Sequence, residues 1–137
     1  MPFSYERTIH FADTDAAGVV FFANYLAICH EAYEESLAAS GIKLGEFFRS
    51  NAVIVPVSKS EADYRRPLYC GDRVRVTLSP KFLSDNTFEI RYEIERLGET
   101  EKNAARLRTE HVCIDSATRA RRAVPGPLSD WLKANGA

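Results

Sequence analysis

The sequence predicts an α+β fold in which an antiparallel five-stranded sheet wraps around one long central helix. Three observations predict it: one extended segment with helical periodicity, several segments with two-residue alternation, and a run of strands after the helix with only turn signals between them. A sheet one residue layer thick must cover its apolar face, and one helix in this chain is large enough to do so.

The first strand is read from Phe3, Tyr5, Ile9 and Phe11, which alternate with Ser4, Glu6, Thr8 and His10. From Ala23 to Ser40 the period changes: Tyr25, Ile28, Cys29, Ala32, Tyr33, Ser36 and Leu37 fall on one helical face, with Glu31, Glu34 and Glu35 on the other. Gly41 supplies the C-terminal stop. Leu44 to Phe48 suggests a short helical turn, and Val53-Ile54-Val55 opens a second strand expected to run to Tyr64 with a break at Pro56. Pro67 and Gly71-Asp72 mark the next turn. Val74, Val76 and Leu78, then Phe88, Ile90, Tyr92 and Ile94, give two strands joined by a hairpin at Ser84-Asp85-Asn86. Leu97-Gly98-Glu99 turns the chain into Leu107, Thr109, His111 and Cys113, and apolar Val112 and Ile114 on the other side mark that strand as an inner one. Arg119 to Val124 is expected as an edge piece, and Pro127 to Ala134, with Trp131 and Leu132, as a terminal helix.

A chain of 137 residues with 45% hydrophobic content suits one domain spanning 1–137. Net charge of -1 argues against a nucleic-acid binder, which needs clustered positive charge to displace counterions. Arginine nonetheless outnumbers lysine, 13 to 5, and its forked guanidinium suits a phosphorylated ligand. Cys29, Cys70 and Cys113 are odd in number and widely spaced, which points to reduced thiols rather than disulfides or a zinc knuckle. The N-terminal residues carry no apolar signal core and no run reaches the ~20 residues of a membrane span. A cytoplasmic protein without membrane association is therefore expected.

The stretch Asp13-Thr14-Asp15-Ala16-Ala17-Gly18, continuing through Phe21-Phe22 to Asn24-Tyr25, sets a carboxylate in a small-residue turn just ahead of the long helix. The first backbone N–H groups of a helix carry partial positive charge and suit an oxyanion. Asp15 near such donors could attack a thioester carbonyl or activate water for that attack. The same Asp-Thr-Asp also suits a plain helix cap or turn closure.

This stretch, with its Asp-x-x-Gly and following Asn-Tyr, resembles the signature of the 4-hydroxybenzoyl-CoA thioesterase family of hotdog-fold enzymes. The likeness extends over the Pro67 to Asp72 corner, the hairpin strands and the late Val124-Pro125. It implies a hotdog fold, thioester hydrolysis, catalytic Asp15, an oxyanion donor at the Phe22 N–H, and turn support from Asp13 and Gly18. Within the family the sequence looks most like the branch that hydrolyses 1,4-dihydroxy-2-naphthoyl-CoA in phylloquinone (vitamin K1) biosynthesis. A short aliphatic acyl-CoA or acyl carrier protein thioester, or acyl binding without turnover, is the alternative. Asn24 and Tyr25 either orient the turn or line the acyl pocket, for which Phe21, Phe47 and Phe48 supply flat apolar surface.

The resemblance also implies an acyl-CoA partner and a homo-oligomer, at least a dimer and by family habit a tetramer, with no metal or cofactor. Some relatives place a basic cluster where this chain has Ser84-Asp85-Asn86-Thr87, so the CoA phosphates are assigned instead to Arg65, Arg66, Arg119, Arg121 and Arg122. Another branch of hotdog thioesterases uses a glutamate on the central helix, but Glu31, Glu34 and Glu35 read here as a solvated or intersubunit face. His10, His30 and His111 lack metal-ligand spacing and read as structural.

Overall fold

The computed structural model describes residues 2–49 and 52–137. Strands β1 (Phe3–Thr8), β4 (Arg73–Phe82), β5 (Thr87–Arg96), β6 (Lys102–Val112) and β3 (Val57–Tyr64) form one antiparallel sheet in the spatial order β1-β4-β5-β6-β3. Helix α1 (Phe22–Ala39) lies across it, one residue earlier at each end than the periodicity suggests. The seven residues expected on its inner face are the seven it buries. They meet Val74, Val76, Leu78, Phe88, Ile90, Tyr92, Ile94 and Leu107 from alternate strand positions in one core. Each such large apolar side chain contributes about 1.5–3 kcal/mol on burial. This is the hotdog arrangement.

The sheet registers show why the strands stop where they do. The last pair of β1 with β4 is Thr8 with Arg73. Beyond it the Ile9 N–H donates to the Asp72 carbonyl, and the Ile9 carbonyl accepts from the Gly71 N–H, at 2.8 Å each. The first strand therefore ends three residues short of Phe11, which opens a 3-10 turn and is 83% exposed. The segment expected from Val53 to Tyr64 divides at Pro56: β2 (Val53–Ile54) pairs with β7 (Ile114–Asp115) in a separate small ladder, while β3 joins β6. Arg119 to Val124 forms no strand; a single bridge ties Arg121 to Ile114, and Arg119 takes φ 65° in the turn before it.

A short helix, α2 (Leu44–Phe47), follows α1, and α3 (Gly126–Ala134) closes the core. Trp131 of α3 is buried, and its indole N–H donates to Ser36 Oγ of α1 at 2.8 Å. Strand β3 is an edge and is exposed along all eight residues. Among the described residues no helix is long and apolar enough to cross a membrane.

Candidate active site

The segment between β1 and α1 folds on itself before entering the helix. Thr14 bridges Val20, the Asp15 N–H donates to the Val19 carbonyl at 3.0 Å, and the Gly18 N–H closes a tight turn on the Asp15 carbonyl at 2.9 Å. Gly18 takes φ 83°, a left-handed conformation that a side chain would strain. The Asp15 carboxylate is exposed, and its Oδ1 accepts the Ala17 N–H at 2.8 Å in an Asx turn. One oxygen is thereby fixed and the other left open. Asp15 closes a turn, as the plainer reading has it, and still presents a carboxylate oxygen to solvent.

Six residues after the turn begins, Phe21 serves as the N-cap of α1 and provides no side-chain cap. The Phe21 N–H donates to the Asp13 carbonyl, but the Phe22 and Ala23 N–H groups have no hydrogen-bond partner among the described residues. An 18-residue helix thus presents uncompensated N–H groups at its positive end. Tyr64 of β3 donates its hydroxyl to the Phe22 carbonyl at 3.2 Å and sets its ring edge-on to Tyr25 at 5.1 Å, holding this end of the helix against the sheet edge.

Asp13 joins the turn to its surroundings. Its Oδ2 accepts the His10 N–H at 2.8 Å and faces Arg7 Nη2 at 3.1 Å, while its carbonyl also accepts Asn24 Nδ2 at 2.9 Å. Arg7 reaches on to Glu31 of α1, with Nε 2.9 Å from Oε2, and Tyr5 donates to that same oxygen at 2.6 Å. Burial and the Glu31 hydrogen bond push the Tyr5 hydroxyl up to about 12. Arg7 is mostly buried on the helix-facing side of β1, so a charged clamp joins strand, turn and helix behind Asp15.

Of the pocket residues expected from sequence, Phe21 and Asn24 lie at the helix start, Asn24 spending its amide on the turn. Tyr25 is buried, and burial raises its hydroxyl pKa. Phe47 and Phe48 meet edge to face at 4.9 Å elsewhere: Phe48 meets His30, and Phe47 packs against the core. His30 lies eight residues beyond Phe22, roughly 12 Å along the helix.

The arginines divide as well. Arg65 and Arg66 follow β3 and sit near the helix start, whereas Arg121 reaches Asn86 and Thr87 at the opposite end of the sheet. The ends are roughly 23 Å apart along β6. Arg65 pairs with Asp63 and Arg122 with Asp115, while among the described residues Arg66 reaches only the Asn103 carbonyl. His30 pairs with Glu34, and His111 is enclosed in the core. Among the described residues no three His, Cys, Asp or Glu side chains gather into a metal-binding set.

A helix-wrapping sheet with a carboxylate turn at the helix start defines a hotdog thioesterase domain, and the chain belongs to the thioesterase-like superfamily, whose model matches residues 9–135. Among its relatives are proteins named 1,4-dihydroxy-2-naphthoyl-CoA hydrolase. That of Thermosynechococcus vestitus is 46% identical, covering 94% of this chain and 87% of the relative, and that of Rippkaea orientalis is 49% identical, covering 94% of each. A solved 1,4-dihydroxy-2-naphthoyl-CoA thioesterase from Synechocystis is 35% identical and superposes with a TM-score of 0.91, covering 97% of this chain and 96% of the other.

Proposed function

We propose that this protein hydrolyses 1,4-dihydroxy-2-naphthoyl-CoA to 1,4-dihydroxy-2-naphthoate and CoA, the reaction the resemblance assigns to phylloquinone biosynthesis. The relatives' identity over nearly the full chain supports the acyl group; the cytoplasm is the compartment we infer for it. The chemistry rests on one observation: an exposed carboxylate, half fixed by an Asx turn, leads into a helix whose first N–H groups have no partner among the described residues.

In this reading the open Asp15 oxygen either bonds to the thioester carbonyl carbon or takes a proton from the water that does so. The carbonyl oxygen gathers negative charge, which the Phe22 N–H stabilises by about 2.7–4 kcal/mol, the range for one such donor. The C–S bond then breaks and CoA leaves as thiolate; where Asp15 attacked, water hydrolyses the mixed anhydride. Gly18 allows the turn, and Asp13 holds it. Arg66, whose guanidinium faces a neutral carbonyl, is the preferred phosphate contact at this end of the sheet.

The exposed edge of β3 is the surface on which we infer that a second copy pairs strand to strand, since a long unpaired edge invites such addition. The tetramer is then a pair of these dimers. Asp15→Asn tests the central claim: thiol release from 1,4-dihydroxy-2-naphthoyl-CoA should fall roughly 10³-fold while melting and oligomer size stay unchanged. Turnover near that of the unmodified protein in this variant overturns the assignment.

A further inference from the structure

The turn that carries Asp15 is one of three adjacent chain segments. Residues 14–15 lie beside 19–20, and 19–20 lie beside 68–69, through the bridges Thr14 with Val20 and Val19 with Tyr69 and the 2.9 Å bond from the Val20 N–H to the Leu68 carbonyl. Residues opposite one another in such a ladder project to the same face. Asp15, Val19 and Tyr69 therefore form one row, and Val20 and Leu68 belong to the reverse side. Burial agrees with this assignment: Val20 and Leu68 enter the core, while Asp15 and Tyr69 remain exposed.

Opposed side chains in a ladder start about 4.5–5.5 Å apart, so the row runs roughly 10 Å from the Asp15 carboxylate across Val19 to the Tyr69 ring. Between acid and ring the only side chain in the row is apolar. Tyr69 is 48% exposed, and its hydroxyl has no partner among the described residues. Its backbone is nevertheless fixed: the Tyr69 N–H donates to Asp72 Oδ2 at 2.9 Å, the Asp72 N–H returns to the Tyr69 carbonyl at 3.0 Å, and Gly71 is tied to Ile9. A large aromatic surface is thus held open on a rigid turn, in line with the carboxylate.

We infer that Val19 and Tyr69 form the platform on which an aromatic acyl group lies, with its thioester carbonyl at Asp15 and its far ring over Tyr69. This rests on the reading of Asp15 as the reacting carboxylate and adds to it a specificity-determining residue. A fused two-ring acyl group spans the row and meets Tyr69 in an offset stack; a two-carbon acyl group ends over Val19 and does not reach the ring. Tyr69 thereby favours aromatic thioesters without taking part in bond making.

The test uses two CoA ligands in which a methylene separates carbonyl from sulfur, so that neither is hydrolysed: naphthacyl-CoA and acetonyl-CoA. Their Kd values are measured by calorimetry on the unmodified protein and on its Tyr69→Phe, Tyr69→Leu and Tyr69→Ala variants, with melting temperatures alongside. The expected result is about tenfold weaker naphthacyl-CoA binding for Tyr69→Ala, less than twofold change for acetonyl-CoA, and near-normal binding of both by Tyr69→Phe, which keeps the ring. Tyr69→Leu, which keeps bulk without the ring, should fall between and guards against loss of fold in the alanine variant. Equal weakening for both ligands, unchanged naphthacyl-CoA binding, or no naphthacyl-CoA binding by the unmodified protein overturns the inference. Thiol release is measured separately: selective loss of naphthacyl-CoA binding in a protein that hydrolyses no acyl-CoA leaves the platform standing and removes the hydrolase reading.

Discussion

His111 ties the stability of this fold to pH. Its ring stacks on Phe88 at 4.8 Å with an interplanar angle of 1°, lies 5.1 Å from the Tyr33 ring, and is enclosed by the core. Its Nε2 pairs with Thr109 Oγ1 at 2.8 Å, and its Nδ1 is buried without a partner among the described residues. Burial, with a smaller contribution from the charge of His30, lowers its pKa from the ordinary 6.5 to about 4. The unfolded chain therefore binds this proton below about pH 6.5, and the folded chain only near pH 4. Stability from His111 is present above the unfolded pKa and is lost as the pH falls toward the folded one. With those two values the loss is about 2 kcal/mol by pH 5 and about 3 kcal/mol by pH 4. Urea unfolding of the unmodified protein and of His111→Gln, at intervals from pH 7.5 to 4.5, isolates this residue from the carboxylates that titrate in both. The unmodified protein should lose about 2 kcal/mol more than the variant between pH 7 and pH 5. Parallel curves would refute the account of His111 as a neutral, desolvated core residue.

Arg7→Met leaves the Asp13 and Glu31 carboxylates without their shared cation; it should cost about 3 kcal/mol in urea unfolding and slow thiol release by loosening the Asp15 turn. Trp131→Phe removes the indole N–H that donates to the buried Ser36 hydroxyl and should cost about 2 kcal/mol, seen as a lower denaturant midpoint with unchanged slope. Arg66→Ala should raise KM for acyl-CoA about fivefold with kcat retained, an effect that shrinks in high salt; Arg65→Ala should do less, because Asp63 already holds that guanidinium.

Much of the fold is legible in the chain because its signals are local. The inner face of α1 follows from a 3.6-residue period, and the buried sides of β4, β5 and β6 from a two-residue period, so no knowledge of neighbours is needed to place those residues. The reading fails where the period is broken for a tertiary reason. Arg7 occupies an inward position of β1, which alternation passes over; its partners lie on a turn and a helix 6 and 24 residues further on. Phe11 continues the alternation in sequence, yet the backbone has already been diverted by the Ile9 bonds to the Gly71-Asp72 turn.

Asp15, Gly18 and Phe22 could be proposed together because one contiguous stretch carries both the carboxylate turn and the helix start, and because that stretch resembles a family signature. Tyr69 sits in a turn with no period to flag it, and only the lateral register of three segments aligns it with Asp15. The five candidate arginines show the same division. Their composition is a property of the chain, but pairing with Asp63 or Asp115 and separation to opposite ends of the sheet are properties of strand order. The chain alone determined the helix, the alternating strands, and the carboxylate ahead of the helix N-terminus, since each depends on residues a few positions apart. Tertiary structure alone decided which charges are clamped, which aromatics are buried or left open, and what shares a face with Asp15, because those depend on segments brought together from across the sequence.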